Sequence, residues 1–97
     1  MIKVIIERHC KPGKEVALGG LLIDLRTKGL RQPGYVSGET LVSVEDPRNY
    51  LTIGTWTRLE FWKAWENSQE RAELAQMIDA LLAEDPRQSI YSAVIEQ

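Results

Sequence analysis

Hydrophobic and polar residues alternate along four short segments of the chain, and this period of two predicts four β-strands. In the first segment Val4 and Ile6 share one face, while Lys3 and Glu7 share the other. The predicted strands are Ile2–Arg8, Tyr35–Val44, Tyr50–Thr57 and Gln88–Ile95. The polar loop at residues 45–49 is short, so the second and third strands should pair antiparallel.

The stretches between the strands repeat their apolar residues every three or four positions, which predicts helices. Leu18, Leu22 and Leu25 share one face of the first helix. The second helical region is interrupted at Ser68, whose hydroxyl group is suited to cap the helix that follows. The predicted helices are Lys14–Leu30, Leu59–Asn67 and Gln69–Ala83.

The predicted order of elements is β-α-β-β-α-β, which indicates an α+β fold of the ferredoxin-like type. We expect one domain over residues 1–97, with a four-stranded antiparallel sheet and its helices on one sheet face. The opposite face would then be open, and the pattern predicts that it carries several large side chains. We expect some of Tyr35, Leu41, Tyr50, Trp56 and Tyr91 to be among them. Such a face needs a cover, so we predict a homodimer whose sheets pack face to face.

The composition is that of a globular domain, since 43% of the 97 residues are hydrophobic and 27% are charged. The formal net charge of −2 does not favour nucleic-acid binding, and the apolar segments are too short for a membrane span. The single cysteine, Cys10, has no partner for an intrachain disulfide. The N-terminus also lacks the apolar stretch of a secretory signal, so we expect a cytoplasmic protein.

The charge is unevenly distributed along the chain. Residues 1–31 carry seven Lys or Arg and three Asp or Glu, a balance of +4, whereas residues 32–97 carry five and eleven, a balance of −6. Such an imbalance could steer an anionic ligand towards the N-terminal part. A helix with a solvated basic face is the simpler interpretation, and we favour it.

Three motifs in the middle of the chain resemble those of one family. They are Pro33-Gly34-Tyr35, the strand Tyr50–Trp56, and the segment Phe61–Ser68 with its Ala64-Trp65 pair. This pattern is similar to that of the antibiotic biosynthesis monooxygenase (ABM) domain family. The resemblance implies a dimeric α+β barrel with a pocket in each subunit between sheet and helices. Members include cofactor-independent oxygenases of aromatic polyketides, small quinol oxygenases and haem-degrading oxygenases.

The haem-degrading members differ from this chain at two places. Their iron ligand is a histidine in the second long helix, and the matching region here, Ser68–Met77, contains none. They also have an asparagine in the first strand, where this chain has Ile6 and Glu7. A haem ligand would have to come from His9, Cys10 or Met77. We therefore disfavour haem binding or degradation, and expect no bound cofactor.

Five residues are candidates for the site that the resemblance implies. Trp65 would line the pocket and stack on a planar aromatic substrate. His9 would act as a general base, because imidazole accepts protons near neutral pH. Trp62, Tyr35 and Tyr91 are the candidates for substrate binding. Each has a structural alternative: the tryptophans as core packing, the tyrosines as dimer contacts, and His9 as an exposed turn residue. Because adjacent strand residues face opposite ways, His9 and Cys10 should not form a catalytic pair.

The resemblance and the residues together support one main hypothesis. The chain is interpreted as a cofactor-independent monooxygenase that acts on a quinol or an aromatic polyketide-like substrate. The alternative is a non-catalytic module of the same dimeric fold that binds a small molecule, since fold does not fix function. Polar, titratable groups in the pocket would favour the enzyme, and an entirely apolar pocket would favour the binding module.

Overall fold

The computed structural model describes residues 1–95, and the last two residues of the predicted domain, Glu96 and Gln97, lie outside the described part. Seven elements follow one another along the chain. They are β1 (Ile2–His9), α1 (Glu15–Gly29), β2 (Tyr35–Val42), β3 (Asn49–Trp56), α2 (Leu59–Glu66), α3 (Gln69–Asp79) and β4 (Arg87–Ser92). The predicted order is confirmed, with the second helical region divided into α2 and α3 as the sequence indicated.

The four strands form one antiparallel sheet in the order β2-β3-β1-β4. β1 is a central strand, with Val4 opposite Gly54 of β3 on one side and opposite Ile90 of β4 on the other. This order and pairing confirm the ferredoxin-like α+β fold. None of the helices within residues 1–95 combines the length and apolar character required to cross a membrane.

The break between α2 and α3 depends on Ser68, as predicted. Its side-chain oxygen accepts a hydrogen bond from the backbone N–H of Arg71 at 3.2 Å, and its hydroxyl donates to the carbonyl of Trp65 at 2.7 Å. The first bond satisfies an N–H group that has no partner within the helix. The second bond joins the end of α2 to the residue that precedes α3 and so stabilises the bend between the two helices.

The interior between sheet and helices has two parts. The first, called here the packed half, is the cluster of Cys10, Leu18, Leu22, Ile78 and Leu82, where α1 meets α3. The second, called here the cavity half, is the cluster of Val4, Ile6, Trp56, Trp62 and Trp65. Leu25 packs against both clusters, so the two halves form one continuous interior.

The sheet faces differ from the prediction at three aromatic positions. Trp56 and Tyr50 lie opposite Ile2 and Arg8 of β1, on the helix-covered side, and Tyr35 lies opposite Trp56. Their assignment to the open face was therefore wrong. The alternation along β3 was correct, but both of its faces carry large apolar residues, so the pattern alone did not show which one the helices cover. In β2 an irregularity after Tyr35 shifts the alternation as well.

α3 also ends earlier than predicted, at Asp79 instead of Ala83. The backbone N–H of Ala83 donates to the carbonyl of His9 at 2.7 Å, and that of Lys11 donates to the carbonyl of Leu81 at 2.9 Å. The apolar stripe continues past Asp79, but its last residue, Leu82, reaches the core from a bridge with Cys10. Pairing with the end of β1 thus replaces the last helical turn.

Candidate functional site

A cavity of about 70 Å³ lies between the sheet and all three helices, within the cavity half. Most of its wall is apolar. β1 contributes Val4 and Ile6, α1 contributes Leu22 and Leu25, β3 contributes Ile53, and aromatic residues complete the apolar wall. A concave, largely apolar site with a few polar groups is the usual form of a small-molecule site in proteins.

Three tryptophans line this cavity and hold one another in place. The rings of Trp56 and Trp62 meet at 5.8 Å with an interplanar angle of 62°, and Tyr35 packs edge-on against Trp56 at 5.4 Å. Trp56, Trp62 and Trp65 are each at most 4% exposed. Edge-to-face contacts of this kind stabilise the ring positions by about 0.5–1.5 kcal/mol per pair. The aromatic wall is therefore rigid.

Three glycines of the lining leave room for these rings. A Cβ atom at Gly38 would lie 2.5 Å from the Tyr35 hydroxyl oxygen. One at Gly54 would lie 3.4 Å from Nε1 of Trp56, and one at Gly29 would lie 3.6 Å from Nε1 of Trp65. Gly38 is thus the tightest of the three positions, and a side chain there would require the Tyr35 ring to move.

The guanidinium of Arg8 enters this apolar environment from β1. Arg8 is 4% exposed, and its Nη1 donates to Oγ1 of Thr52 at 3.3 Å. Its Nε is buried and has no hydrogen-bond partner among the described residues. Burial, and to a smaller extent the charge of Arg71, lowers the pKa of Arg8 to about 10, so the group stays cationic at neutral pH.

Arg71 of α3 is the second cation in the lining. Its Cζ lies 4.9 Å from the centre of the Trp62 ring, a cation–π contact, and its buried Nε has no partner among the described residues. Burial lowers the pKa of Arg71, and the charges of Glu66 and Asp79 oppose this effect. Glu66 is itself engaged, because it accepts hydrogen bonds from Lys63 at 3.2 Å and Gln88 at 2.8 Å.

An outer recess of about 300 Å³ adjoins the cavity on the side of α1 and β2. The two spaces share Leu22, Arg26 and Thr40 in their walls. The shared residues mark the boundary between the two spaces, and both Arg26 and Thr40 are exposed to solvent.

The structure brings together three of the five candidate residues and separates the other two from them. Trp65, Trp62 and Tyr35 all line the cavity. His9 continues the alternation of Lys3 and Glu7 on the open sheet face, and its Nε2 lies 3.9 Å from carboxylate oxygens of Glu7 and Glu84. A single subunit therefore does not bring His9 to a ligand in the cavity.

Tyr91 is the other separated candidate. It lies opposite Lys3 on β4 and is 59% exposed, on the open face as predicted. Leu41 also lies on that face. Cys10, next to His9, points to the opposite side of the sheet and is buried in the packed half, as predicted. Burial raises the pKa of its thiol, so it is inert packing at neutral pH.

The sequence analysis did not identify Arg8 and Arg71 as site residues, although the pattern contained a signal for each. Arg8 continues the inward alternation of Val4 and Ile6. Arg71 stands three and seven positions before Leu74 and Ile78, on the buried stripe of α3. A charged residue in phase with a buried stripe is rare in a structural core, so this phase is the signal to look for.

Comparisons with known proteins add a family and a fold. The sequence profile of the family described as antibiotic biosynthesis monooxygenase (ABM) matches residues 1–84. No curated protein matches the sequence closely enough to count as a relative.

Several solved structures share the fold. One described as an antibiotic biosynthesis monooxygenase has a TM-score of 0.90 at 22% identity, covering 98% of this chain and 100% of that chain. A conserved protein from Methanosarcina mazei Go1 has a TM-score of 0.88 at 19% identity, covering 93% and 89%. SnoaB, a cofactor-independent oxygenase from Streptomyces nogalater, has a TM-score of 0.85 at 17% identity, covering 98% and 95%. At these identities the likeness concerns the fold alone.

Proposed function

The chain belongs to the antibiotic biosynthesis monooxygenase family, and from this premise we propose that it is a small cofactor-independent monooxygenase of a quinol or an aromatic polyketide-like substrate. The observation that carries the proposal is the cavity walled by Trp56, Trp62 and Trp65. Flat aromatic walls select a planar aromatic ligand. The likeness in fold to SnoaB, whose description is that of a cofactor-independent oxygenase, supports the same class of reaction.

The sizes of the two spaces constrain how such a substrate would sit. The inner cavity of about 70 Å³ is smaller than the roughly 150 Å³ apolar cavity that holds a benzene molecule in another protein. A substrate ring would therefore have to cross the boundary at Leu22 and Thr40 and occupy part of the outer recess of about 300 Å³. One edge of the ring, with its substituent, would point inwards to the tryptophans.

The proposed reaction draws its electrons from the substrate itself. A quinol loses a phenolic proton, and the anion transfers one electron to dioxygen, which gives a semiquinone radical and superoxide. Recombination forms a C–O bond at a ring carbon, and protonation of the outer oxygen gives a hydroperoxide. Cleavage of the O–O bond with loss of the ring C–H proton releases water and leaves a hydroxyquinone. One oxygen atom enters the product and the other leaves in water.

Trp65 would hold the substrate ring in this mechanism. Two contacts hold Trp65 in position: its carbonyl accepts from the Ser68 hydroxyl at 2.7 Å, and its indole lies close to Gly29 of α1. A fixed wall restricts the substrate to orientations in which its reactive carbon faces the space left for dioxygen. Trp65 is thus proposed as a positioning residue for the ring.

A homodimer through the open sheet face is part of the proposal. That face carries Ile5, Leu51 and Ile53 along the two central strands, with Leu41 and Tyr91 on the edge strands. A second copy would cover these apolar side chains. Sedimentation equilibrium tests this: the wild type should have the mass of a dimer, and Leu51→Lys should have that of a monomer. A monomeric wild type at millimolar concentration would contradict it.

One observation favours the alternative of a non-catalytic binding module. Among the described lining residues there is no histidine, and the carboxylate nearest the cavity, Glu39, belongs to an exposed position at the edge strand β2. A cavity without an evident proton acceptor can bind a ligand and leave it unchanged. His9 as a catalytic base stays a prediction, to be tested by His9→Gln in the assay below.

Oxygen consumption distinguishes the enzyme from the binding module. Metal-free protein with a chelator present is given 1,4-naphthohydroquinone and phenolic polyketide mimics, and the uptake in protein-free solution is subtracted. We expect protein-dependent uptake that falls about tenfold or more in Trp65→Phe. Phe61→Leu, on the same helix but outside the cavity lining, should retain it. Uptake equal in Trp65→Phe and wild type would place the reaction elsewhere, and no uptake by the folded wild type would favour the binding module.

A further inference from the structure

Two arginine side chains with unpartnered N–H groups belong to the lining of the apolar cavity. Arg8 and Arg71 both line it, and neither forms a salt bridge within the described residues. Each has a buried Nε atom without a hydrogen-bond partner there. Arg8 is also more than nine-tenths buried. A buried cation with unused donors is costly to the fold, so its presence calls for a function.

We infer that Arg8 and Arg71 together bind the oxyanion of a planar aromatic ligand, either a phenolate or a carboxylate attached to the ring. This inference rests on the proposed function for the aromatic nature of the ligand, and it adds the ligand's charge and the residues that recognise it. Guanidinium groups present paired N–H donors that match two oxygen atoms or the lone pairs of one.

The protein's own groups do not account for the pair. Thr52, which accepts from Arg8 at 3.3 Å, is neutral and supplies no countercharge. The charge of Asp79 favours the charged form of both arginines and that of Glu66 favours the charged form of Arg71, but neither carboxylate forms a salt bridge with them. Glu66 already accepts hydrogen bonds from Lys63 and Gln88. The two cations also repel each other, since the charge of Arg71 disfavours the charged form of Arg8. An anionic ligand would supply what each side chain lacks.

The geometry connects the anion to the aromatic wall. The Arg71 guanidinium lies over the face of Trp62 at 4.9 Å, and Trp62 in turn packs against Trp56 at 5.8 Å. The indole Nε1 of Trp62 is buried without a partner among the described residues, so it adds a further donor. Three N–H groups without a partner among the described residues thus belong to side chains that line the same cavity.

Two arginines beside the substrate would reduce its need for a general base in the protein. Cations next to a phenol favour its ionised form, because they stabilise the negative charge that remains when the proton leaves. The anion is also the form that transfers an electron to dioxygen in the proposed reaction. The guanidinium groups of Arg8 and Arg71 would therefore promote the first step without a proton-accepting side chain in the cavity wall.

Isothermal titration calorimetry under nitrogen tests the inference without turnover. The probes are 2-naphthoate, its neutral analogue 2-naphthamide, and 2,4-dinitrophenolate, which carries its charge on a phenolic oxygen at neutral pH. We expect wild type to bind naphthoate at least about tenfold more tightly than naphthamide, a difference of about 1.4 kcal/mol. Preference for dinitrophenolate over naphthoate would identify the phenolate as the preferred anion, and the reverse would identify the carboxylate.

Three variants show whether the two arginines are responsible. Arg8→Met and Arg71→Leu should each lose the preference for naphthoate over naphthamide while their affinity for naphthamide stays within about threefold of wild type. Arg31→Met, which removes an exposed arginine of the same charge, should keep the preference. Arg8→Lys keeps the positive charge but loses the paired N–H donors of the guanidinium group, so it should retain part of the preference for naphthoate. Thermal melts of every variant establish that it is folded.

The results separate this inference from the proposed function. Anion preference in the wild type that is lost in Arg8→Met supports the arginine pair even if no quinol is oxidised. Equal binding of naphthoate and naphthamide, no binding of either at millimolar concentration, or full preference in both Arg8→Met and Arg71→Leu would overturn it. Any of these outcomes could accompany normal oxygen uptake, and the proposed function would then stand alone.

Discussion

The two halves of the interior meet at Leu25, come from different helices and strands, and differ in how completely they are filled. In the packed half Leu18 and Ile78 are fully buried, at 0% exposure, among aliphatic neighbours. The cavity half leaves a space of about 70 Å³ beside its tryptophans. Of the four buried side-chain polar atoms without a partner in the described residues, three belong to side chains that line this cavity: Arg8 Nε, Trp62 Nε1 and Arg71 Nε.

This contrast indicates that the two parts of the interior have different roles, one in stability and one in binding. A close-packed aliphatic cluster is what a chain of 97 residues needs for a stable fold. Unfilled space and unpartnered donors reduce stability, so their concentration in one half is typical of a binding site. The packed half would hold the sheet and helices together, and the cavity half would recognise the ligand.

The largest expected effect is the loss of packing in the packed half. Ile78→Ala removes a side chain with 0% exposure, so the free energy of unfolding should fall by about 2–5 kcal/mol. Met77→Ala, at a neighbouring position that is 49% exposed, is the matched control and should change it by less than about 1 kcal/mol. Urea denaturation measures both. A similar loss in the two variants would show that the packed half is not close-packed.

The next effect has the opposite sign and lies in the cavity half. Arg8→Met replaces a buried cation without a carboxylate partner by an apolar side chain of similar length. The free energy of unfolding should rise by about 1–4 kcal/mol, as it does when buried charges are replaced by hydrophobic residues. Urea denaturation of Arg8→Met beside Arg31→Met measures it. A fall in the free energy of unfolding of Arg8→Met would show that Arg8 stabilises the fold, which would contradict the proposed difference between the two halves.

A smaller change in stability is expected at the aromatic wall. Trp65→Phe shortens a buried ring that borders an existing cavity, so the free energy of unfolding should fall by about 1–2 kcal/mol. The same substitution should lower oxygen uptake with 1,4-naphthohydroquinone about tenfold. The two measurements together separate a positioning role from a packing role. A large loss of stability with unchanged uptake would assign Trp65 to packing alone.

The smallest expected effect is a pH dependence in the packed half. Burial, and then the charge of Glu15, raises the pKa of Cys10 above its ordinary value of 9.0. The folded state then holds the thiol proton where the unfolded chain releases it. This contribution is fully present below pH 9 and is lost as the pH rises above it. Unfolding free energies measured from about pH 8 to pH 10 should decline more steeply for wild type than for Cys10→Ala. Parallel declines would contradict the assignment.

Much of the fold could be predicted because local patterns determine it. Alternation located β1 through Val4 and Ile6, helical spacing located α1, and the hydroxyl of Ser68 marked the break between α2 and α3. The early end of α3 could not be predicted, because it depends on pairing between Leu82 and Cys10, which are distant in sequence. Secondary-structure propensity depends on residues that are close in sequence, so it does not predict a contact between distant residues.

The candidate site could be predicted only in part. The resemblance to the ABM family led to the choice of Trp65 and Trp62 as candidates, and both line the cavity. The face of Trp56 was assigned wrongly, since alternation along β3 fixes which residues share a side and not which side is covered. Arg8 was overlooked because a charged residue at the end of a strand is usually solvated, and only the packing around it shows that it is buried.

The central claim is that the cavity half binds an aromatic anion. Titration of ¹⁵N-labelled protein with 2-naphthoate, followed by amide chemical shifts, tests it most directly. We predict shifts for the backbone amides of Gly38, Gly54 and Trp65 and for the indole N–H of Trp62, with Leu18 and Ile78 of the packed half unchanged. Shifts confined to the open sheet face around Leu51 and Tyr91, or no shifts at millimolar naphthoate, would contradict the claim.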